Sequence, residues 1–496
     1  MSFDSAVFFF NQKLNLMNYT QTPQAATPEL SDIQGLIING YTHPCSVHML
    51  FKFDQNASNL KYIQEFFKDL LPYLQSAEDW GALKPEIMLN IGLSANGIGI
   101  VKPDLDVPNS SFPSTFKTGP WDINSAQLSL GDVGIKGGDP SEWWNQKFCN
   151  DDIHCVVHVY AMNPTAQEKI VGIVNDAALK SNGMVTELKP LKSESGRLEQ
   201  YLLVPSDYIH FSYRDSIDEP NLNENPAGND QQDLNNFLIG YSTLPNPIPG
   251  PLSGPEAAFA KNGCYNAFRI LYQDVEAFNN FLDTQAESIA PQIKNTKEYA
   301  EEWLAAKMCG RWRNGSPLVL SPDKPEHDTS KATDFGYLKD DMQGLKCPFS
   351  AHTRVANPRD EGVDAAGSDT VPRIIRRGMP YGPPFSLDPE ADRGLIGLFL
   401  CGDISSQFET LYSWINLNNF SDVFDPAENT PQDPLVANRI AAEPGGNIDP
   451  NFTIPMEGGN NIVIDGPLPQ FVVTRGTAYL LLPSISALTA IANGEA

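Results

Sequence analysis

Apolar positions recur along this chain at two periods, and the switch from one to the other marks four repeats of a strand followed by a helix. In the first, Val47, Met49, Phe51 and Phe53 alternate with Ser46, His48, Leu50 and Lys52; Leu60, Ile63, Phe67 and Leu70 then fall at helical spacing. The second is the apolar, β-branched run 155–161, followed by Ile170, Ile173, Val174 and Ala177. The third alternates over 265–272, after which Asp274 is placed to cap a helix carrying Val275, Phe278, Phe281 and Leu282. The fourth is a buried-type strand over 395–401, with Asp403 ahead of a helix carrying Ile404, Phe408, Leu411 and Ile415. A period of two giving way to 3.6 is the β-then-α signature.

Two such units per half predict a βαββαβ arrangement built twice, with helices on one face of an antiparallel sheet, which is an α+β class. Residues 1–31 read as an N-terminal extension, 32–242 as the first half, 243–263 as a Pro/Gly-rich linker and 264–496 as the second half. Within the linker, Pro245, Pro247, Pro249, Gly250 and Pro251 tolerate neither helix nor strand. Two polar stretches, 218–233 and 416–461, are too long for plain connectors and read as functional loops or surface decoration.

The balance of charge narrows the partners. A net charge of −27 over 496 residues argues against a nucleic acid or an anionic membrane, both polyanions. Seven cysteines, an odd number with no Cys-x-x-Cys pair, point to buried reduced thiols rather than a disulfide framework or a zinc knuckle. The start of the chain has a short apolar run at 6–10 with no basic residue before it, unlike a signal peptide, and no apolar run approaches a membrane span. A cytoplasmic location is expected, with secretion by another route left open.

Histidine is scarce, seven in the whole chain, so each is weighed singly. His352 stands in Cys347-Pro348-Phe349-Ser350-Ala351-His352-Thr353-Arg354-Val355-Ala356-Asn357-Pro358-Arg359, followed by Arg373-Ile374-Ile375-Arg376-Arg377-Gly378-Met379-Pro380. A lone histidine in a Pro-, Arg- and Asn-rich segment, followed by paired arginines, suggests a haem iron ligand with its peroxide-side arginine. The bland alternative is a hydrogen-bonded structural histidine. His154 and His158, four apart, share one face of a strand as metal ligands would, but no carboxylate or cysteine pair supports a site, and they read as strand residues.

Taken in order, several blocks resemble the dye-decolorizing peroxidase family, over about 32–488. Asp32-Ile33-Gln34-Gly35 is similar to the family's opening strand; Phe112-Pro113 through Leu130-Gly131-Asp132, with Trp143-Trp144, to its early block. Gly310-Arg311-Trp312, with Gly315 and Pro317-Leu318, resembles the block upstream of the haem histidine. Residues 347–359 and 376–382 resemble the haem-ligand and distal-arginine segments; 471–476 and Leu482-Pro483-Ser484 resemble the closing strand and loop. One motif departs. The family's distal signature is Gly-Phe-x-Asp-Gly, and the matching run here is Ser212-Tyr213-Arg214-Asp215-Ser216, with serine at both glycine positions. Glycine is usual where the chain needs positive φ or close approach to a ligand, so the substitution puts the loop's geometry in question.

The resemblance implies duplicated ferredoxin-like (βαββαβ) halves forming a dimeric α+β barrel-like sandwich, with one haem b per chain in the second half. It implies a peroxidase using hydrogen peroxide to oxidise bulky aromatic donors, dyes or phenols, through an iron-oxo intermediate. His352 would be the axial ligand, with Asp433 accepting from its other ring nitrogen. Asp215 would be general base and then general acid, and Arg376, the first of the pair, would stabilise the developing negative charge. Arg354 and Arg359 would pair with the propionates. Leu398, Phe399 and Leu400 would form an apolar distal wall, with core packing as the equal alternative for the leucines. Trp414 and Tyr412 are aromatic candidates for electron relay, but core aromatics are commoner and no relay is assigned. Two rival readings are a haem-binding member with weakened peroxide chemistry, and a haem-free structural or cargo protein on the same fold.

Overall fold

The computed structural model describes residues 28–81, 83–191, 195–201, 207–223, 231–241, 252–329, 332–361, 371–417, 430–439 and 448–495. The start of the linker, 243–251, and most of the N-terminal extension lie outside the described residues, and 254–260 is a short helix.

In the first half the chain forms β1 (Cys45–Phe53), α1 (Leu60–Leu70), β2 (Ile87–Leu93), β3 (Cys155–Ala161), α2 (Pro164–Lys180), β4 (Val185–Leu188) and β5 (Leu198–Tyr201). The second half supplies β6 (Cys264–Gln273), α3 (Val275–Gln292), α4 (Lys297–Cys309), α5 (His352–Ala356), β7 (Ile375–Arg376), β8 (Met379–Tyr381), β9 (Gly394–Cys401), α6 (Thr410–Leu417), β10 (Val472–Leu482) and α7 (Ile485–Asn493). All four strand-then-helix repeats are present. Asp274 caps α3 by accepting from the Ala277 N–H, and Asp403 accepts from the Ser406 N–H at the start of a π-helical turn leading into α6.

These ten strands make one antiparallel sheet. The order β4–β1–β3–β2 in the first half and β10–β6–β9 in the second, with β7 and β8 both on β9, is the ferredoxin-like order used twice. The halves meet where β10 lies against β2, paired at Leu481 and Leu93. Beside that junction the amide of Gln34 stands in for a neighbouring strand. It accepts from the Ile91 N–H at 2.7 Å and donates to the carbonyls of Ile91 and Pro483 at 2.8 Å each. The segment expected as an opening strand is therefore a single bridge at Gln34, followed by a helical turn over Gly35–Ile38. At the opposite end of the sheet, Gln200 on β5 donates to the carbonyls of Met379 and Pro380 on β8, so the sheet curls toward a barrel.

Both faces are buried, which the alternation in β1 did not anticipate; only Lys52 of that strand is exposed. The helices pack outside. Phe51 and Phe53 lie in one apolar cluster with Phe66 and Phe67 of α1 and Ile170 of α2, and Leu271 of β6 lies in another with Phe278, Leu282 and Leu304. The inner face gathers Leu50, Val156, Tyr160, Phe268, Leu398, Leu400 and Leu480. Polar side chains share this interior. His48 Nε2 lies 3.0 Å from Gln200 Oε1, and Oε1 also accepts from the Ser46 hydroxyl. His48 must therefore carry its proton on Nε2, because the amide oxygen only accepts. Its Nδ1, 2.9 Å from His158 Nδ1, is then the acceptor and His158 the donor. The partner of His158 is thus His48, while His154 Nδ1 accepts from the Phe53 N–H.

Burial of this pair has a sign in pH. It holds His48 down to about 4 and His158 well below the usual histidine range. An unfolded histidine titrates near ~6.5, so below that pH the unfolded chain takes up protons that the folded pair refuses. Stability should fall as pH drops from about 6.5 toward about 4, by up to ~1.4 kcal/mol per pH unit for each histidine. Urea unfolding across this range should show the loss, and the double variant His48→Gln/His158→Gln, though less stable, should show a shallower dependence.

Candidate functional site

A cavity of about 290 Å³ lies outside the sheet of the second half, between β6, β9 and β10 and the helical layer. Alternation decides which strand residues reach it. Leu395, Gly397 and Phe399 of β9 line the cavity, whereas Leu398 and Leu400 point into the barrel. The distal-wall assignment is corrected accordingly: Phe399 is on the wall, and Leu398 is not, because neighbours on a strand face opposite ways. The same parity separates the paired arginines. Arg376 lines the cavity, and Arg377 turns to the carbonyls of Leu36 and Ile38.

On one side stands His352, the first residue of the five-residue helix α5. Its Nδ1 is 2.6 Å from Asp433 Oδ2, and Asp433 is fully buried. Asp433 Oδ1 accepts from the N–H groups of Leu435 and Val436, at 2.7 and 2.9 Å. A carboxylate filled by donors in this way takes the Nδ1 proton of His352 as acceptor, leaving the lone pair on Nε2. Arg354 contributes differently from its expected role. It is buried between the rings of Tyr337 and Phe349, bonded to Glu361 and the Cys347 carbonyl, and does not reach the cavity. A buried guanidinium already satisfied by a carboxylate has no donor to spare for a propionate, so Arg354 pins the histidine segment. Arg359 is one layer back, donating to Asp218 at 2.9 Å and to the Thr333 carbonyl at 2.6 Å. The cations that line the cavity are Arg214, Arg311, Arg373 and Arg376.

Across the cavity runs the loop bearing Asp215. Phe211 packs on Phe278 at 4.5 Å between ring centroids, and the Tyr213 hydroxyl donates to the Ala305 carbonyl at 2.7 Å. These anchors hold the loop in a shape that its own residues do not favour. Ser212 and Ser216 have φ of 64° and 60°, so both serines occupy the left-handed conformation natural to glycine. Asp215 lines the cavity, with Arg376 Nη1 3.9 Å from its Oδ1. Two acids unassigned by the sequence complete this side. Asp218 Oδ2 accepts from Asn357 and Arg359 at 2.9 Å each, and Glu219 Oε1 lies 2.7 Å from Arg376 Nε. The nearby Glu219, with Asp215 and Asp218, raises the Arg376 pKa further above its ordinary range. The spacing Asp215, Asp218, Glu219 ahead of Pro220 was the available signal, hidden at the head of a stretch read as a polar loop.

Among the described residues, no group of three or more His, Cys, Asp or Glu side chains is arranged to hold a bare metal ion. The donor set suits another kind of metal. One imidazole, apolar walls such as Ile217, Leu271, Ile374 and Leu435, and arginines at the margin fit an iron whose planar macrocycle brings four nitrogens and carries carboxylates.

Comparison with known proteins agrees in sequence and fold. No protein-family model matches the chain. It is 27% identical over 493 residues to dye-decolorizing peroxidase msp1 of Mycetinis scorodonius, covering 93% of this chain and 87% of that one. It is 30% identical over 243 residues to a multifunctional dye peroxidase of an Amycolatopsis strain, covering 46% of this chain and 49% of that one. An ancestral D-type dye-decolorizing peroxidase structure superposes with a TM-score of 0.72 at 25% identity, covering 94% and 99% of the two chains. A fungal peroxidase structure of this type from Auricularia auricula-judae superposes with a TM-score of 0.73 at 23% identity, covering 94% and 100%.

The left-handed serines generate a direct test. Ser216→Gly relieves roughly 1 kcal/mol of backbone strain, largely cancelled by the added freedom of the unfolded chain. Its melting temperature should stay within roughly 2 °C of wild type, since a 1 kcal/mol change moves a chain of this length by only about 1 °C. Ser216→Val, β-branched where φ is positive, should lose more than ~1 kcal/mol by calorimetry.

Proposed function

We propose that the chain is a member of the dye-decolorizing peroxidase family, that it reduces hydrogen peroxide at a haem b held by His352, and that it oxidises bulky aromatic donors. The observation that carries this reading is the opposition, across one cavity, of an imidazole fixed by a buried carboxylate and an acid–arginine pair.

A haem held by His352 would supply an iron centre able to reduce peroxide by two electrons and to recover them from two one-electron donors. The chain's residues do the rest. Asp433 holds the Nδ1–H of His352, orients the ring and keeps Nε2 basic for ligation. Asp215 takes the proton from one peroxide oxygen and returns it to the other, which departs as water; it serves as base and then acid. Arg376 Nη1 faces the same space and stabilises negative charge as the bond breaks. Phe399 and Leu395, which line the cavity, would keep bulk water from that space. Arg311 and Arg373, which line the cavity, take the haem carboxylates in place of Arg354. The left-handed φ at both serines supports a working acid–base loop over one that has lost its shape.

An absorption spectrum of the pure protein tests the reading at once: a Soret band should be present and should shift on adding peroxide. His352→Ala should lose most of that band while the polypeptide stays folded by circular dichroism. Arg376→Leu should keep haem and slow the peroxide step by about a hundred- to a thousandfold in stopped flow, the usual loss for one such donor. A variant at His352 with full haem occupancy, or a peroxide step unaltered in Arg376→Leu, would overturn these assignments.

A further inference from the structure

The guanidinium of Arg376 is held from behind. Its Nε lies 2.7 Å from Glu219 Oε1, its backbone N–H donates to Glu219 Oε2 at 3.0 Å, and its Nη2 donates to the Ile217 carbonyl at 2.8 Å. Among the described residues Nη1 has no hydrogen-bond partner, and its acidic neighbour, Asp215 Oδ1, is 3.9 Å away, too far for a hydrogen bond. Glu219 is not on the cavity wall, whereas Arg376 and Asp215 are. Two bonds from one carboxylate, to the side chain and the backbone of the same arginine, fix the orientation of the guanidinium plane. The same carboxylate also offsets part of its charge, and Arg377 Nη1, 3.8 Å from Glu219 Oε2, draws on it too.

We infer that Glu219 is a positioning residue for the peroxide site: it aims Arg376 Nη1 into the gap facing Asp215 and limits how strongly that arginine attracts a small anion. The inference rests on the haem reading above and concerns how the anion subsite is set. It makes two separable demands. Removing the charge of Glu219 while keeping one acceptor, an amide oxygen on Arg376 Nε, should strengthen anion binding, because that bond still aims the guanidinium and less of its charge is offset. Removing the acceptor as well should weaken binding, because the guanidinium loses its tether.

The test is fluoride binding to the ferric holoprotein, followed by the change in its absorption spectrum, so that no turnover is needed. Glu219→Gln should tighten fluoride by about fivefold, the order expected of one partly exposed charge pair. Glu219→Ala should bind fluoride more weakly than wild type. In an Arg376→Leu background, Glu219→Gln should change nothing, since its effect runs through the arginine. Unchanged or weaker binding in Glu219→Gln, an effect that persists without Arg376, or equal behaviour of the Gln and Ala variants would each overturn the inference. A wild-type protein that takes up no haem would instead fail the peroxidase reading itself.

Discussion

Asp218 joins three segments that are far apart in sequence, through its carboxylate and its backbone carbonyl. Its Oδ2 accepts from Asn357 and Arg359, just past the histidine helix, and its backbone carbonyl accepts from Arg373 beside β7. Asp218 lies three residues after Asp215, so the acid side of the cavity, the imidazole side and the arginine strand are tied at one point. Charge-assisted bonds of this kind are short and directional. Without Asp218, the acid side would keep its bonds to Arg376 through Glu219 and Ile217 but lose those to Asn357 and Arg359 beside the histidine helix.

The cavity's place outside the sheet follows from how the duplicated halves use their two faces. Curling toward a barrel commits the inner face to packing against itself, and that interior is already filled by Leu398, Leu400, Phe268 and the histidine pair. A large planar guest can be accommodated only where helices cover the sheet at a distance. In the second half, α4, α5 and α6 stand off β6 and β9 far enough to leave such a space. In the first half, α1 and α2 close directly onto β1 and β3, with Phe66, Phe67 and Ile170 filling the gap. One architecture used twice thus gives one solid half and one hollow half.

Much of this was legible in the chain. Strand-then-helix repeats survive as written because a period of two and a period of 3.6 are local signals. His352, Asp215 and Arg376, drawn from three distant motifs, meet at one cavity. The failures each have a cause in three dimensions. Leu398 was placed on the wall by proximity to Phe399, whereas strand parity sends it inward. Arg354 lies two residues from His352, yet Glu361, seven residues on, captures it. Glu219 went unassigned because its role exists only through Arg376, 157 residues away. Asp433, by contrast, was assigned to His352 only through the resemblance, because composition leaves the stretch 416–461 open between functional loop and surface decoration.

The two serines with positive φ carry a wider lesson about what a sequence fingerprint encodes. A glycine in such a motif records a backbone shape, and that shape can be enforced from outside by an anchored tyrosine and a packed phenylalanine. Once the surroundings impose the conformation, the letter itself becomes negotiable, and lineages can exchange it without redrawing the loop. Relatives that have drifted in this way escape any pattern written in glycines, yet remain findable by one written in dihedral angles.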